Sequence, residues 1–336
     1  MIDTRMRDRE KTIEAEDIII THRDADGVGA LVNLMRLGDL ENPRVLYVNP
    51  EDLGRIINFI RRKLSGRIKR IFIMDLAPNK DSIEYIVQEI NILKRSNIKI
   101  FWMDHHVWDS AWFDLLRRSG VEVYHDPNTC ATGVVRAFFN SQDLFTIDLE
   151  RVICSIDLWK FEDPRAPWFM RIISYEDRDE WRNRIAEILI KADRVEDLIE
   201  WGRAYVEKTI DRELREYNQY AKKSIIRNVN GIKIVVVVKK SSSAAGVSSL
   251  AHYLLSLYDA EIVAVLRSNG SISFRSKNYN VREIAKALGG GGHVKAAGAR
   301  IRISFIDRIL LSIGLEKPLL LKTLKILESL VKNPKD

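Results

Sequence analysis

Cysteine is scarce in this sequence, with only Cys130 and Cys154 among 336 residues. Two cysteines provide no disulfide framework, and their spacing is not that of a zinc site, which predicts a protein of a reducing compartment. No apolar run approaches the ~20 residues needed to span a bilayer. The charged stretch of residues 1–17 lacks the apolar segment of a signal peptide. These absences predict a cytoplasmic protein that does not associate with membranes.

The composition indicates a globular protein with a basic surface. A length of 336 residues with 46% hydrophobic side chains predicts two domains with sizeable cores. The net charge of +7 favours polyanionic partners such as nucleic acid or nucleotides. An ordinary basic enzyme explains that charge equally well.

One stretch combines a buried-strand pattern with chemically active side chains. Residues 100–103 form a short apolar run rich in aromatic and branched side chains, and Asp104, His105 and His106 follow at once. Such a run favours a buried strand of an α/β sheet, whose ligands bind just beyond the carboxyl ends of the strands. An aspartate at a strand end can also be a helix N-cap, so this triplet alone leaves both interpretations open.

The same pattern recurs twice earlier in the chain. Residues 18–21 lead into a segment with His22, Asp24 and Asp26, and residues 71–74 lead into Asp75. Carboxylates gathered at one sheet edge repel one another unless cations neutralise them. Capping explains each aspartate singly but not the accompanying histidines, so the pattern predicts a metal site.

The spacing of apolar runs predicts an α/β fold with a doubly wound parallel sheet in the N-terminal domain. The predicted strands cover residues 17–21, 44–48, 69–74, 98–103 and 121–125, and the predicted helices cover residues 26–38, 52–64 and 80–95. A charged helical connector follows, and then a smaller mixed α/β C-terminal domain. The predicted boundaries are 1–165, 166–230 and 231–336.

Most of the residues around Asp157 in the segment 149–159 are apolar. A carboxylate buried there would be costly unless a cation paired with it, whereas a solvent-facing helix position would carry no such cost. The sequence leaves both open at this point.

A glycine-rich segment marks the C-terminal domain. Gly290, Gly291, Gly292, His293 and Lys295 stand within residues 289–298, where small residues are compatible with the start of a helix. A glycine run is usually a flexible joint, but backbone amides at a helix N-terminus could also meet a phosphate. Arg275, on the preceding predicted strand, would then form the second half of a phosphate clamp.

All seven tryptophans fall between residues 102 and 201. Packing is the commoner use of tryptophan, although exposed indoles can stack on unpaired bases. Trp108 and Trp112, close after the histidine pair, are the best candidates for stacking.

Taken together, these motifs resemble those of the DHH phosphoesterase superfamily and its associated C-terminal domain. The resemblance covers residues 17–303. Its ordered motifs are residues 22–27, Asp75, the triplet 104–106, Asp157 and the glycine-rich segment 289–298.

The resemblance implies a site with two divalent cations that hydrolyses phosphodiester or phosphoanhydride bonds. Mn²⁺ is the first expectation, with Mg²⁺ or Co²⁺ as alternatives, and mixed carboxylate and imidazole ligands suit such ions. The implied metal ligands are Asp24, Asp26, Asp75, His105, Asp157 and His22. The implied catalytic groups are His106, Asp104 and His22. His106 would contact substrate phosphate, and Asp104 would orient the histidines. The role of His22, as a ligand or as a supporting group, stays open.

The resemblance also indicates which biochemical function is expected first and which functions are alternatives. Many small-substrate members carry another acidic residue where Val28 stands, and Asp24 takes its place here, as in the RecJ-like exonuclease branch. We therefore expect an exonuclease acting on single-stranded DNA or RNA. The alternatives are a phosphodiesterase or phosphatase for short RNAs, cyclic dinucleotides or 3′-phosphoadenosine 5′-phosphate, and a non-catalytic replication or repair partner. A homodimer is also possible.

Overall fold

The structure, a computed structural model, describes residues 15–63, 67–240, 243 and 245–331. Most of the charged start of the chain therefore lies outside the described residues. The chain forms two compact units that divide between Arg203 and Ala204. The boundaries placed at residues 165 and 230 from sequence stay predictions. Among the described residues, no helix has the length and apolar character required to cross a membrane.

The first unit alternates strands and helices, as the spacing of apolar runs predicted. Its elements are β1 (Asp17–His22), α1 (Ala25–Leu37), β2 (Arg44–Val48), α2 (Leu53–Arg62), β3 (Arg70–Met74), α3 (Ile83–Lys94), β4 (Lys99–Asp104), α4 (Ser110–Arg118), β5 (Val121–His125), α5 (Ala131–Phe138), α6 (Leu144–Asp157), α7 (Ala166–Ile173) and α8 (Asp179–Lys191). A long helix, α9 (Asp197–Lys223), follows. The predicted strands agree with the observed ones to within about a residue at each end.

The five strands form one parallel sheet in the order β2-β1-β3-β4-β5. Side chains alternate between its faces. Ile18 and Ile20 pack with α2, α3 and α4 in one buried core. On the opposite face Phe101 of β4 contacts Phe138 of α5, with ring centroids 6.0 Å apart. Helices on both faces confirm the predicted doubly wound architecture.

The strand order reverses between β1 and β3. In doubly wound sheets the crevice beyond the carboxyl ends of the strands at such a reversal is where ligands bind. His22 is the last residue of β1 and Asp75 directly follows β3. The topology therefore places these two side chains at the edge where ligands of this fold class bind.

The turn from β1 into α1 requires glycine at position 27. A Cβ atom there would lie 2.3 Å from the carbonyl oxygen of His22. The backbone can approach this closely only because glycine has no side chain.

We expect Gly27→Ala to lower the free energy of unfolding by about 1–3 kcal/mol, the usual cost of forcing an atom into a packed site. Urea unfolding followed by circular dichroism measures the change. Gly298→Ala is the matched control, since a Cβ there meets only the carbonyl oxygen of Ile272, at 3.7 Å. Equal stability of both variants would contradict the close approach at Gly27.

The two cysteines form a disulfide, although the sequence indicated no disulfide framework. Cys130 directly precedes α5, Cys154 lies in the last turns of α6, and their Cα atoms are 5.2 Å apart. Packing of two helices that are separate in the sequence produces this proximity, so residue spacing did not reveal it. The cysteines therefore no longer indicate a reducing compartment.

The second unit is a mixed sheet covered by helices. Its elements are β6 (Ile225–Val229), β7 (Ile232–Lys239), α10 (Val247–Leu257), β8 (Ile262–Arg267), β9 (Ser271–Ser276), α11 (Val281–Ala287), β10 (Gly291–Gly292), β11 (Ala296–Arg300), α12 (Phe305–Ser312) and α13 (Lys317–Leu330). The strand order is β10-β11-β9-β8-β7-β6, with only β7 and β8 parallel among these pairs. This mixed α/β unit confirms the predicted class.

The predicted helical connector extended to residue 230, which is too far along the chain. Residues 225–229 form β6, which pairs antiparallel with β7 through the turn at Asn230 and Gly231. Both turn residues have positive φ, 52° and 81°. Asn-Gly is the preferred pair for such a two-residue hairpin turn, so it marks a hairpin here and not the end of a helix.

Candidate metal centre

Carboxylates and imidazoles from distant parts of the first unit gather at the carboxyl edge of its sheet. β1, β3 and β4 are neighbours, and each ends in or just before one of these groups. The gathered residues are His22, Asp24, Asp26, Asp75, Asp104, His105, His106 and Asp157. All six residues expected to be metal ligands are among them.

We call Asp26, His105 and Asp157 the second cluster. The Nε2 atom of His105 lies 3.5 Å from an oxygen of Asp26 and 3.4 Å from one of Asp157. An oxygen of Asp75 lies 3.4 Å from the same nitrogen. The side chains of His105 and Asp26 are completely buried. One imidazole nitrogen thus faces three carboxylates, which come from α1, the end of β3 and the end of α6.

We call His22, Asp24 and Asp75 the first cluster. The Nδ1 atom of His22 lies 2.9 Å from Asp24 Oδ2 and 3.5 Å from Asp75 Oδ2. The other oxygen of Asp24 accepts hydrogen bonds from the amides of Asp26 and Gly27 and caps α1. Asp24 is therefore both a helix cap and a member of the cluster. Asp75 belongs to the first cluster and also reaches His105 of the second.

Asp75 has a backbone conformation that aspartate seldom adopts in strands. Its φ is +55°, in the left-handed region, and its amide donates a 3.1 Å hydrogen bond to the carbonyl of Met103 on β4. Left-handed residues other than glycine cost free energy and collect at functional sites. This turn ends β3 and directs a 1% exposed carboxylate toward both clusters.

Asp104 contacts His106 and Trp108, and its implied role in orienting the histidines stays a prediction. His106 Nδ1 lies 2.9 Å from Asp104 Oδ1, and the indole of Trp108 donates a 2.6 Å hydrogen bond to the other oxygen of Asp104. His106 Nδ1 also lies 4.0 Å from an oxygen of Asp75. The predicted base-stacking role of Trp108 is wrong, because the residue is buried and its N–H is used. Trp112 is half-buried and packs against the core.

The N-terminus of α5 holds Asp26. The amides of Ala131 and Thr132 donate hydrogen bonds of 2.6 and 2.8 Å to its two oxygens, and the Thr132 hydroxyl adds one of 2.7 Å. Partial positive charge at a helix N-terminus stabilises a carboxylate there. These contacts join residues more than 100 positions apart, and no local sequence pattern indicated them.

A second positioning contact reaches the segment between His22 and Asp24. Arg182 of α8 is 5% exposed, and its Nε donates a 2.7 Å hydrogen bond to the carbonyl of Arg23. Asp177 accepts hydrogen bonds from both arginines. Sequence reasoning treated α8 as a solvated connector and missed this role.

Electrostatics in the second cluster reflect crowding of like charges. Burial and the charges of Asp75 and Asp157 raise the pKa of Asp26 well above its ordinary value. Burial raises the pKa of Asp157 to about 6. Burial by itself would lower the pKa of His105, but the surrounding carboxylates raise it to about 11.

His106 and Asp104 behave as an ion pair. Burial alone would lower the pKa of His106, but Asp104 raises it to about 9. Burial would raise the pKa of Asp104, but His106 lowers it to about 2. This pairing keeps the ring orientation of His106 fixed.

The donor set fits divalent cations. The two clusters, Asp104 and His106 bring five carboxylates and three histidines together, a negative excess that a cation would offset. Asp157 Oδ2 is completely buried and accepts no hydrogen bond from the described residues. Mixed carboxylate and imidazole donors suit Mn²⁺ and related ions.

The predicted phosphate-binding residues lie in the second unit on a hairpin. Gly291 and Gly292 form β10 and pair with Gly298 and Ala297 of β11. The predicted helix after the glycine run is therefore wrong. Gly292 has a φ of +129°, and Gly290 packs against the carbonyl of Gly298, so backbone geometry explains these glycines.

The charged members of this set flank the hairpin. His293 and Lys295 stand at its turn, which the His293 amide closes with a 2.8 Å hydrogen bond to the carbonyl of Ala296. Arg275 of β9 pairs with Ala296 across the sheet, and its guanidinium donates a 2.8 Å hydrogen bond to Ser248. The structure thus brings Arg275, His293 and Lys295 to one end of the β9–β11 pair, whereas their binding role stays a prediction.

Comparisons with known proteins identify a domain in the C-terminal part of the chain and structures of similar fold. The DHHA1 domain model matches residues 230–313. No curated protein sequence matches the chain significantly.

Three solved structures resemble the chain at low identity. RecJ from Thermus thermophilus in complex with Mn²⁺ is 14% identical, with a TM-score of 0.56 over 90% of this chain and 51% of that one. The pGpG-specific phosphodiesterase PggH from Vibrio cholerae is 15% identical, with a TM-score of 0.53 over 91% of this chain and 98% of that one. An exopolyphosphatase-related protein from Bacteroides fragilis is 16% identical, with a TM-score of 0.51 over 91% of this chain and 94% of that one.

The domain match, the two-unit fold and the ordered motifs agree with one another. Residues 230–313 match the DHHA1 domain, and the fold of the chain is similar to that of PggH and RecJ.

Proposed function

We propose that this protein is a two-cation phosphodiesterase, and more specifically an exonuclease that hydrolyses single-stranded DNA or RNA. The observation that carries the proposal is the convergence of Asp26, Asp75 and Asp157 on His105 beside a second set around His22. Asp75 reaches both sets, which is the arrangement that two neighbouring cations require. The DHHA1 domain match and the resemblance to the DHH phosphoesterases support a hydrolase that acts on phosphate esters.

The first cluster would hold one cation and the second cluster the other, with Asp75 between them. Two bound divalent cations supply charge stabilisation at phosphorus and make water a better nucleophile near neutral pH. We propose Mn²⁺, supported by the RecJ structure with Mn²⁺, and Mg²⁺ or Co²⁺ as alternatives. No serine or cysteine nucleophile is needed.

The chain's own residues supply orientation. We assign His106 to the substrate phosphate, because its Nδ1 is held by Asp104 and its raised pKa of about 9 favours the cationic ring. A cationic donor beside the phosphate stabilises charge that develops during displacement. We assign His22 to the first cluster as a ligand, because its Nδ1 faces both carboxylates there.

A small-nucleotide phosphodiesterase is the second candidate. The chain spans 98% of PggH, a pGpG-specific phosphodiesterase, but only 51% of RecJ. This candidate includes short RNAs, cyclic dinucleotides and 3′-phosphoadenosine 5′-phosphate as substrates. The net charge of +7 favours longer polyanions and therefore the exonuclease.

One assay separates the candidates. Single-stranded DNA and RNA ladders labelled at either end are incubated with the protein and Mn²⁺, beside the dinucleotide pGpG. We expect stepwise shortening of a long strand at a rate above that for pGpG, and the label that is lost first gives the direction. A faster rate on pGpG would replace the exonuclease proposal with the small-nucleotide one. No hydrolysis of any of these substrates would favour a non-catalytic replication or repair partner.

The hairpin residues should affect substrate binding more than chemistry. We expect Arg275→Ala and His293→Ala each to raise KM about tenfold, with little change in kcat, because a charged hydrogen bond is worth about 1.5–3 kcal/mol. Steady-state kinetics on a labelled oligonucleotide measure both constants. Arg300→Ala, at an exposed position on β11, is the control. Weaker Mn²⁺ binding with an unchanged KM would contradict the phosphate clamp.

A further inference from the structure

The Cys130–Cys154 disulfide joins the two helices that arrange the second cluster. We propose that it is a positioning cross-link for the cation held by Asp26, His105 and Asp157. This inference rests on the proposed function, since it assigns a role toward that cation. Cys130 precedes α5 and Cys154 lies in α6, so the proposed effect passes through the backbone of these two helices.

On the α5 side the cross-link lies next to the groups that hold Asp26. Cys130 is completely buried and immediately precedes Ala131 and Thr132, whose amides bind the two carboxylate oxygens of Asp26. The carbonyl of Cys130 accepts hydrogen bonds from Gly133 and Val134 and begins the helix. A displacement of Cys130 would therefore move the amides that fix Asp26.

On the α6 side the cross-link lies one turn before Asp157. Residues three apart on a helix share a face, so Cys154 and Asp157 lie on the same side of α6. The carbonyl of Cys154 accepts a 3.0 Å hydrogen bond from Leu158, the residue after Asp157. Fixing Cys154 therefore fixes the last turn of α6, where the helix would otherwise fray.

Further contacts hold α5 against α6 and α1. Glu150, one turn before Cys154, forms an ion pair with Arg136 and accepts a hydrogen bond from Thr129. Asn33 of α1 donates a 2.9 Å hydrogen bond to the carbonyl of Thr132. These contacts would keep the helices packed after the disulfide is broken, so the expected effect is local.

The first cluster provides an internal reference. His22, Asp24 and Asp75 come from β1, the β1–α1 turn and the end of β3, none of which the disulfide joins. A positioning role predicts loss at the second cluster alone. A general loss of stability predicts equal losses at both.

The experiment is Mn²⁺ titration by calorimetry in two backgrounds. Asp24→Asn weakens the first cluster while keeping a good helix cap, and so reports the second cluster. Asp157→Asn weakens the second cluster and reports the first. Each protein is measured oxidised, after reduction and with Cys130→Ser plus Cys154→Ser.

Reduction uses a trialkylphosphine that is removed under argon before titration. Its phosphorus attacks Cys154, the more exposed cysteine, the S–S bond breaks, and Cys130 leaves as a thiolate that takes a proton. Water then releases the second thiol and leaves the phosphine oxide, which accounts for two electrons.

In the Asp24→Asn background we expect Mn²⁺ affinity to fall about tenfold on reduction and in the double serine variant, the size typical of lost support for a metal ligand. Reoxidation should restore the affinity of the reduced protein only. In the Asp157→Asn background affinity should change less than about twofold.

Unchanged affinity in the reduced Asp24→Asn protein, with both thiols verified, would overturn the inference and leave the proposed function intact. Equal losses in both backgrounds, or loss of cooperative thermal unfolding on reduction, would overturn it in favour of a global stabilising role. Absence of Mn²⁺ binding by the untreated wild type would overturn the proposed function and this inference with it.

Discussion

Asp75→Asn is expected to lower kcat by at least about 10³-fold and to weaken binding of both cations. Asp75 is 1% exposed, and its oxygens reach His22 in the first cluster and His105 in the second. The substitution keeps the shape of the side chain but removes the charge that two cations would share. Losing a group that stabilises transition-state charge typically costs 10²–10³-fold, and this one would serve two cations.

Two measurements check this result. Calorimetry counts Mn²⁺ bound per chain, and single-turnover hydrolysis of a labelled oligonucleotide gives the rate. Asp114→Asn on the exposed surface of α4 is the matched control and should retain both properties. Circular dichroism confirms that the variant is folded. Two bound Mn²⁺ and near-normal turnover in Asp75→Asn would remove Asp75 from the site.

Mn²⁺ affinity at the second cluster should rise steeply with pH. A cation binds the deprotonated side chains, so every raised pKa means a proton that must leave first. The pKa of His105 is raised to about 11 and that of Asp157 to about 6. Between pH 7 and 8.5 a proton from His105 is displaced, and the raised pKa of Asp26 adds to the dependence, so Kd should fall by at least about tenfold per pH unit. Below pH 6 a proton must also leave Asp157 when the cation binds, so Kd should depend more steeply on pH.

Calorimetric titration of Asp24→Asn with Mn²⁺ under argon, from pH 5.5 to 8.5, measures this dependence. Repeating it in buffers of different ionisation enthalpy counts the protons released. The same titration of Asp24→Asn combined with His105→Gln should show a weaker pH dependence above pH 7. A Kd independent of pH over this range, with no proton release, would show that these groups do not bind the cation.

The sheet of the first unit could be predicted because short apolar runs separated by amphipathic segments are specific to this architecture. The hairpin at Asn230 and Gly231 was missed because the charged periodicity of α9 continues almost to its start. The prediction of a helix after the glycine run also failed for a physical reason. Small residues permit a helix start, but Gly290 and Gly292 are needed where two strands of a hairpin approach closely.

The gathering of aspartates and histidines could be predicted because parallel strands end at one sheet edge. The contacts that hold these side chains in place could not be predicted. Trp108 binds Asp104, Thr132 binds Asp26 and Arg182 binds the backbone at Arg23, and the last two contacts join residues more than 100 positions apart. Such contacts depend on helix packing, as does the disulfide, and no residue spacing in the sequence encodes them.

Anomalous diffraction at the manganese edge, from crystals of the protein soaked in Mn²⁺, tests the central claim most directly. We predict two peaks about 3.5–4 Å apart. One should lie among His22, Asp24 and Asp75, and the other among Asp26, His105 and Asp157. Absence of any peak at these clusters in crystals that hold Mn²⁺ elsewhere would show that the residues do not form a two-cation site.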